Sequence, residues 1–216
     1  MRVRAVIFDM DGVITNTMPD HFKAWHQVLA KEGIHATHHD IYSREGQRGL
    51  QSVYEIFNEY KKPYDLKKAK ALLHEKEELF KKITQTRFIT GSRSILRDLH
   101  KRKFKLALVT GTSRHELHRI LPDSVYNYFD VSVTGSDVKK GKPHPEPYLK
   151  ALKKMGLKAS QAVAIENAPF GILSAKKAGL KCLALETSLP RKYLKEADAV
   201  FASIKELRKK VKFILI

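Results

Sequence analysis

The sequence of 216 residues has little of several things. A single cysteine, Cys182, leaves no internal disulfide and no cysteine-based zinc site to build. The longest apolar runs, Ala5 to Phe8 and Phe213 to Ile216, fall far short of the ~18 residues a membrane span needs. Asp9 and Asp11 interrupt any signal-like region behind the N-terminal arginines. No basic run reaches five residues, so there is no basic tail. These absences exclude a disulfide scaffold, a helical membrane protein and a zinc ribbon, and predict a cytoplasmic protein, monomeric or weakly dimeric.

What is present is charge and alternation. Lys and Arg total 41 against 23 Asp and Glu, a net charge of +18. The excess is uneven: residues 18 to 86 carry only +2, and the flanking segments +16. Short apolar runs at Val3–Phe8, Leu106–Val109, Val131–Val133, Ala162–Ile165, Cys182–Leu185 and Ala199–Phe201 read as buried strands. Helical patterns fall between most of them, at Ser94–Lys101, His115–Leu121, Pro145–Met155 and Phe170–Ala178. Alternation of this kind predicts an α/β fold with a parallel sheet covered on both faces. Residues 18–86 break the pattern with three helical stretches, Met18–Glu32, Leu50–Tyr60 and Leu66–Ile83. They predict a helical cap over 17–86, inserted into a catalytic core of 1–16 and 87–216 through joints at Gly12–Thr17 and Thr86–Gly91.

Polar residues gather just past the predicted strands, where an open α/β sheet binds its ligands. Asp9, Asp11 and Gly12 follow the first; Thr110, Gly111, Thr112 and Ser113 follow the second; Lys142 lies in Gly-Lys-Pro; Glu166 and Asn167 end the 162–165 run. Two carboxylates two residues apart can serve one pocket, one attacking phosphorus and the other moving protons. They would repel a phosphate unless a hard cation intervened, and Mg²⁺ suits carboxylate, carbonyl and water oxygens. Thr110 and Gly111 could hold a phosphoryl oxygen, and Lys142 could neutralise developing charge.

Phe8-Asp9-Met10-Asp11-Gly12-Val13, Val109-Thr110-Gly111-Thr112-Ser113, Lys142-Pro143-His144-Pro145 and Ile165-Glu166-Asn167, with Gly171 and Ala178-Gly179 beyond, resemble the four motifs of the haloacid dehalogenase-like superfamily. The inserted cap resembles the subclass containing beta-phosphoglucomutase and phosphoglycolate phosphatase. The resemblance implies a Rossmann-like parallel-sheet core with Asp9 as a nucleophile forming an aspartyl-phosphate, Asp11 as general acid/base, and Mg²⁺ held by the Asp9 carboxylate and the Asp11 carbonyl. The dehalogenases of the superfamily lack the second aspartate, so Asp11 favours phosphoryl transfer. The family's fourth motif usually supplies aspartate where Asn167 stands, which leaves Glu166 and Asn167 as alternative metal ligands. Asn167 could instead cap the helix that follows.

In the cap, His21 and Lys76 are similar to a histidine and a lysine that beta-phosphoglucomutase uses for substrate handling. Arg48 stands one residue earlier than that family's arginine. The expected function is a Mg²⁺-dependent phosphatase of a small phosphorylated metabolite, a sugar phosphate or phosphoglycolate. The alternatives are a hexose phosphate mutase and, in another class, a nucleic-acid-binding protein motivated by the +18 charge. His35, His38 and His39 have no metal-ligand spacing and read as a polar loop, Gly141-Lys142 is not a P-loop, and Cys182 reads as an inert core thiol.

Overall fold

The computed structural model describes residues 1–216. The chain begins with β1 (Arg2–Val3) and β2 (Ala5–Phe8), followed by four helices: α1 (Met18–Ala30), α2 (His38–Tyr42), α3 (Gly49–Glu59) and α4 (Leu66–Ile83). Then come α5 (Ser92–Lys101), β3 (Lys105–Val109), α6 (Arg114–Ile120), α7 (Asp123–Tyr126), β4 (Val131–Val133), α8 (Glu146–Met155) and β5 (Ala162–Glu166). The chain ends with α9 (Pro169–Lys177), β6 (Lys181–Leu185), β7 (Ala199–Phe201), α10 (Ile204–Lys210) and β8 (Ile214–Leu215).

Six strands form one parallel sheet in the order β4-β3-β2-β5-β6-β7. The fold is therefore the α/β sheet with a helical insertion expected from the sequence. The chain runs outward from β2 through β3 to β4, then returns to the other side of β2 with β5. Neighbouring strands diverge from β2 at this switch point, which opens a crevice at their carboxyl ends. Phe8 is in register with Leu108 on one side and Ile165 on the other, so the residues after each strand reach the same level.

Period-two alternation sorts the strand residues into two layers. Ala5, Ile7, Ala107, Ala162, Ala164 and Ala184 face one side, where small side chains admit α8 and α9. Val6, Phe8, Leu106, Leu108, Val163 and Ile165 face the other, packing with Leu96 and Leu99 of α5 and Leu207 of α10. Cys182 lies in the first layer, and burial pushes its thiol well up, in keeping with an unreactive core residue.

Helices α1–α4 form the cap. Buried Ala69, Leu72, Lys76 and Phe80 of α4 recur at helical spacing and lie against α1. Asp65 caps α4 by accepting from the Lys68 N–H at 2.7 Å. The joints pair with each other: the Asn16 N–H donates to Arg87 O at 2.8 Å and the Ile89 N–H to Ile14 O at 3.0 Å.

Three local expectations are corrected. The apolar run Val3–Phe8 is two strands, not one: the exposed Arg4 separates β1, which pairs with β8, from β2 in the main sheet. The segment holding His38 and His39 is helical, because Thr37 and Asp40 form a capping box that starts α2. His38 stacks on Phe22 at 3.7 Å, and no three His, Cys, Asp or Glu side chains converge as a metal cluster. Asn167 does not cap α9, whose N-cap is Ala168 without a side-chain bond.

Candidate active site

The loop after β2 is tightly wound because Met10 O accepts three N–H groups, those of Val13, Ile14 and Thr15, at 2.8–3.2 Å. Gly12 turns it at φ +87°, and a Cβ there would meet Asn167 Nδ2 at 2.1 Å. The loop thus brings the first and fourth motifs together. Asp9 and Asp11 are both fully buried.

Lys142 reaches in from the segment between β4 and α8, and its ammonium bridges Asp9 Oδ1 at 2.5 Å and Glu166 Oε1 at 2.6 Å. Burial alone would strip its proton, but the two carboxylates outweigh that and hold it charged. Burial also raises the Asp9 carboxyl, against the pull of Lys142. Asp9 Oδ2 has no hydrogen-bond partner.

Asp11 is wired differently. Its Oδ1 accepts from Thr17, and its Oδ2 from Thr110 at 3.3 Å and Thr112 at 3.2 Å. His21 Nε2 stands 3.6 Å from Oδ1, beyond hydrogen-bond reach. Burial would raise the Asp11 carboxyl, but His21 and the surrounding hydroxyls more than offset it and leave it below its ordinary range. The two aspartates therefore sit in environments that push their carboxyls in opposite directions, Asp9 up and Asp11 down.

The cap completes this arrangement. Lys76 Nζ lies 3.1 Å from His21 Nδ1. An ammonium can only donate, so Nδ1 accepts and Nε2 carries the hydrogen facing Asp11. The His21 ring stacks on Phe80 at 4.0 Å, and Lys76 lies over the rings of Trp25 and Phe80 at 5.4 and 4.8 Å. Lys76 is buried within the cap face rather than placed at its edge.

The loop before α3 lies directly on the core. Gly46 O accepts the Lys142 N–H at 3.3 Å, and a Cβ on Gly111 would lie 2.6 Å from the Gly46 Cα. With this loop in place, a cleft of about 1040 Å³ runs between cap and core. His21, Lys76, Arg48, Gly111, Thr112 and Lys142 reach its wall; Asp9 and Asp11 do not. The cleft thus stops short of the two buried aspartates.

Two expected site residues have their polar groups engaged within the protein. Both Glu166 oxygens hold protein partners: Oε1 accepts from Lys142 and from the Tyr148 hydroxyl at 2.7 Å, and Oε2 from the Asn167 N–H at 3.0 Å. Arg48 is exposed, and its guanidinium donates to Lys139 O at 2.6 Å. Thr17, Glu45, Gly46, Tyr148 and Ser188 belong to the site and were missed. Only Thr17, six residues past Asp11 in the joint, stood close enough to a motif to be noticed.

Asn167 Nδ2 donates to Ser188 Oγ at 2.7 Å, while its Oδ1 is buried without a partner. That orphaned amide oxygen and the orphaned Asp9 Oδ2 are hard oxygen donors from two motifs that meet at Gly12. The residues present therefore fit a divalent cation.

All four motifs converge at the ends of β2, β3 and β5, and a family model described as haloacid dehalogenase-like hydrolase matches residues 6–185. The chain belongs to this family. Membership makes the protein a hydrolase and implies a divalent metal. This haloacid dehalogenase-like hydrolase is 34% identical over 187 residues to a phosphorylated carbohydrates phosphatase of Thermotoga maritima, covering 83% of each chain. It is 30% identical over 188 residues to a fructose-1-phosphate phosphatase of Escherichia coli, covering 83% of this chain and 94% of that one. A beta-phosphoglucomutase structure from Clostridium difficile superposes with a TM-score of 0.81 at 25% identity, covering 96% of each chain.

Proposed function

We propose that the protein is a Mg²⁺-dependent phosphatase of phosphorylated sugars, working through an aspartyl-phosphate. The observation that carries this reading is the asymmetry of the buried pair: Asp9 keeps one oxygen on Lys142 and the other unengaged, while Asp11 is held by hydroxyls and faces His21. The relatives' phosphatase activity on sugar phosphates supports the same reading.

The Asp9 carboxylate attacks phosphorus, and the bond from phosphorus to the ester oxygen breaks. The leaving oxygen takes a proton from the Asp11 carboxyl. Water then attacks the aspartyl-phosphate, gives a proton to the Asp11 carboxylate, and releases inorganic phosphate with Asp9 restored. In the resting closed site Asp11 is ionised, the state the second step needs. It must be protonated for the first step, and withdrawal of His21 with the cap favours that. Lys142 holds Asp9 in line and offsets charge on the transferring group. Asp9, Asn167 and the Asp11 carbonyl would hold the cation, which supplies charge neutralisation between carboxylate and phosphate. Thr110, Gly111 and Thr112 border the phosphoryl position. Segment 17–86 acts as a cap that opens on the core formed by 1–16 and 87–216.

The test is inorganic phosphate release across sugar phosphates and phosphoglycolate, with Mg²⁺ or chelator, for the native protein and Asp9→Asn. Chelator-sensitive turnover that drops by about 10³-fold or more in the variant is expected. Turnover retained by Asp9→Asn would remove the aspartyl-phosphate. A 1-phosphate to 6-phosphate conversion that outpaces phosphate release, with a sugar bisphosphate added, would make the protein a mutase.

A further inference from the structure

Glu45 lies on the cleft wall, one residue before the glycine that rests on Lys142. The placement of Gly46 fixes where Glu45 can be: its loop is tied to the core through Gly46 O, and at the preceding turn Ser43 O accepts the Phe170 N–H at 3.3 Å. The charged groups it feels most are Asp11, His21, Lys142 and Lys76, which surround the reacting centre from both core and cap. Burial, then Asp11, pushes its carboxyl up.

Lys139, Lys140 and Lys177 extend from the cleft wall into solvent, and most of its other charges are engaged. Arg44 pairs with Glu55 and Glu59, Lys142 with Asp9 and Glu166, and Arg48 with Lys139 O. Lys76 is held on His21 and two rings. Asp40 accepts from Thr37 and Tyr60, and Glu116 from Ser113. Glu45 and Glu77 are the two cleft carboxylates without a hydrogen-bond or ionic partner. Glu77 feels Glu116 first, at the mouth between α4 and α6, whereas Glu45 feels Asp11 first.

We propose that Glu45 is a specificity-determining residue that selects monophosphates with a neutral, hydroxyl-bearing remainder and rejects substrates with a second anionic group. The proposal rests on the phosphatase reading and narrows its substrate class. An acceptor-only carboxylate beside the reacting phosphate accepts hydrogen bonds from the hydroxyls of a sugar or polyol. It meets a second phosphate or a carboxylate with like-charge repulsion in a cleft where charges are poorly screened. The cations it feels most, Lys142 and Lys76, already hold partners and do not cancel this. Sugar bisphosphates and phosphoglycolate are therefore poor substrates, and phosphoglycolate leaves the expected set.

The experiment compares kcat/KM for glucose 6-phosphate, fructose 1,6-bisphosphate and phosphoglycolate in the native protein, Glu45→Gln and Glu45→Lys, with melting temperatures as a folding control. The native protein is expected to prefer glucose 6-phosphate by about tenfold or more over both compounds with an anionic tail. Glu45→Gln, nearly the same shape, narrows that preference by about tenfold, chiefly through KM, and Glu45→Lys reverses it. Unchanged ratios in both variants, or an equal loss on all three substrates, would overturn the proposal. Thermal-shift binding of the same compounds separates this from failure of the underlying reading. If no ester is hydrolysed, the phosphatase reading falls; a binding order that still changes in Glu45→Gln sustains the selectivity, and an unchanged order or no binding overturns it.

Discussion

Replacing Gly46 with alanine tests closure of the cap with a perturbation of one methyl group. The glycine has φ +77°, and an added Cβ would lie 2.3 Å from Lys142 Cδ and 3.0 Å from its Cε. Lys142 cannot swing away, because its side chain is 1% exposed and its ammonium is tied to Asp9 and Glu166. Two penalties follow, and they separate. The left-handed backbone costs about 1 kcal/mol whether the cap is open or closed, so it lowers the melting temperature by about 2–4 °C in a chain of this size. The clash exists only when the loop rests on the core; at about 1–3 kcal/mol it lowers kcat/KM by about 5- to 150-fold. Gly156 provides the control. It ends α8 at φ +65° with nothing within 4 Å of an added Cβ, so Gly156→Ala should lose the same few degrees and keep native kcat/KM. Steady-state hydrolysis of a sugar phosphate and thermal melting on both variants measure the two effects. Native kcat/KM in Gly46→Ala, or an equal loss in Gly156→Ala, would refute the argument that this loop must seat on Lys142 for catalysis.

Two further outcomes are expected elsewhere. Asn167→Asp places a charged oxygen where the orphaned amide oxygen now lies, and should tighten Mg²⁺ binding by about tenfold in calorimetry or in Mg²⁺-dependent melting shifts, independent of turnover; weaker or unchanged binding would count against Asn167 as a ligand. Asp137 accepts from Arg114 at 2.6 Å and from the Thr134 N–H and hydroxyl at 2.8 and 2.7 Å; burial works against these bonds, which nevertheless hold its carboxyl well below the usual range. A depressed folded-state value stabilises above the unfolded value of about 3.9 and is lost as pH falls further. Asp137→Asn should therefore cost about 1 kcal/mol at pH 7 in urea unfolding, with the gap closing as pH drops below about 4; a pH-independent gap would refute it.

The sheet and four of its strand-end clusters were legible because a parallel sheet concentrates its signal locally. Short apolar runs end in polar residues, and the order of those residues along the chain survives folding. The cap was legible as three helical stripes in a segment without strands. What was not legible depends on pairs far apart in sequence. Gly46 matters because Lys142, 96 positions later, fills the space where its side chain would be. Tyr148 matters because its hydroxyl meets Glu166, and Ser188 because it orients Asn167. None of these contacts leaves a periodic trace. Glu45 was passed over because a lone glutamate in a polar loop looks like any solvated charge until the loop is seen lying over the site.

Glu166 differs, because its role was recoverable from alternation alone. Ala162 and Ala164 face the layer under α8 and α9, so the residue two further along faces it too. On that side Glu166 meets Tyr148 of α8 and presses so closely on Gly171 of α9 that a Cβ there would lie 2.1 Å from Oε1. By the same rule Asp9 continues the face of Ala5 and Ile7, so Lys142 can bridge both carboxylates from one side. Asp9 and Glu166 share one ammonium, and Asp11, buried nearby on hydroxyls, brings the surplus to two negative charges when all are ionised. Burial without full compensation is what raises the Asp9 carboxyl. A divalent cation would offset that surplus in full, and in the proposed site a neutral amide would then suffice at position 167. A fourth carboxylate would bind the cation more strongly, but at the expense of a less stable empty site.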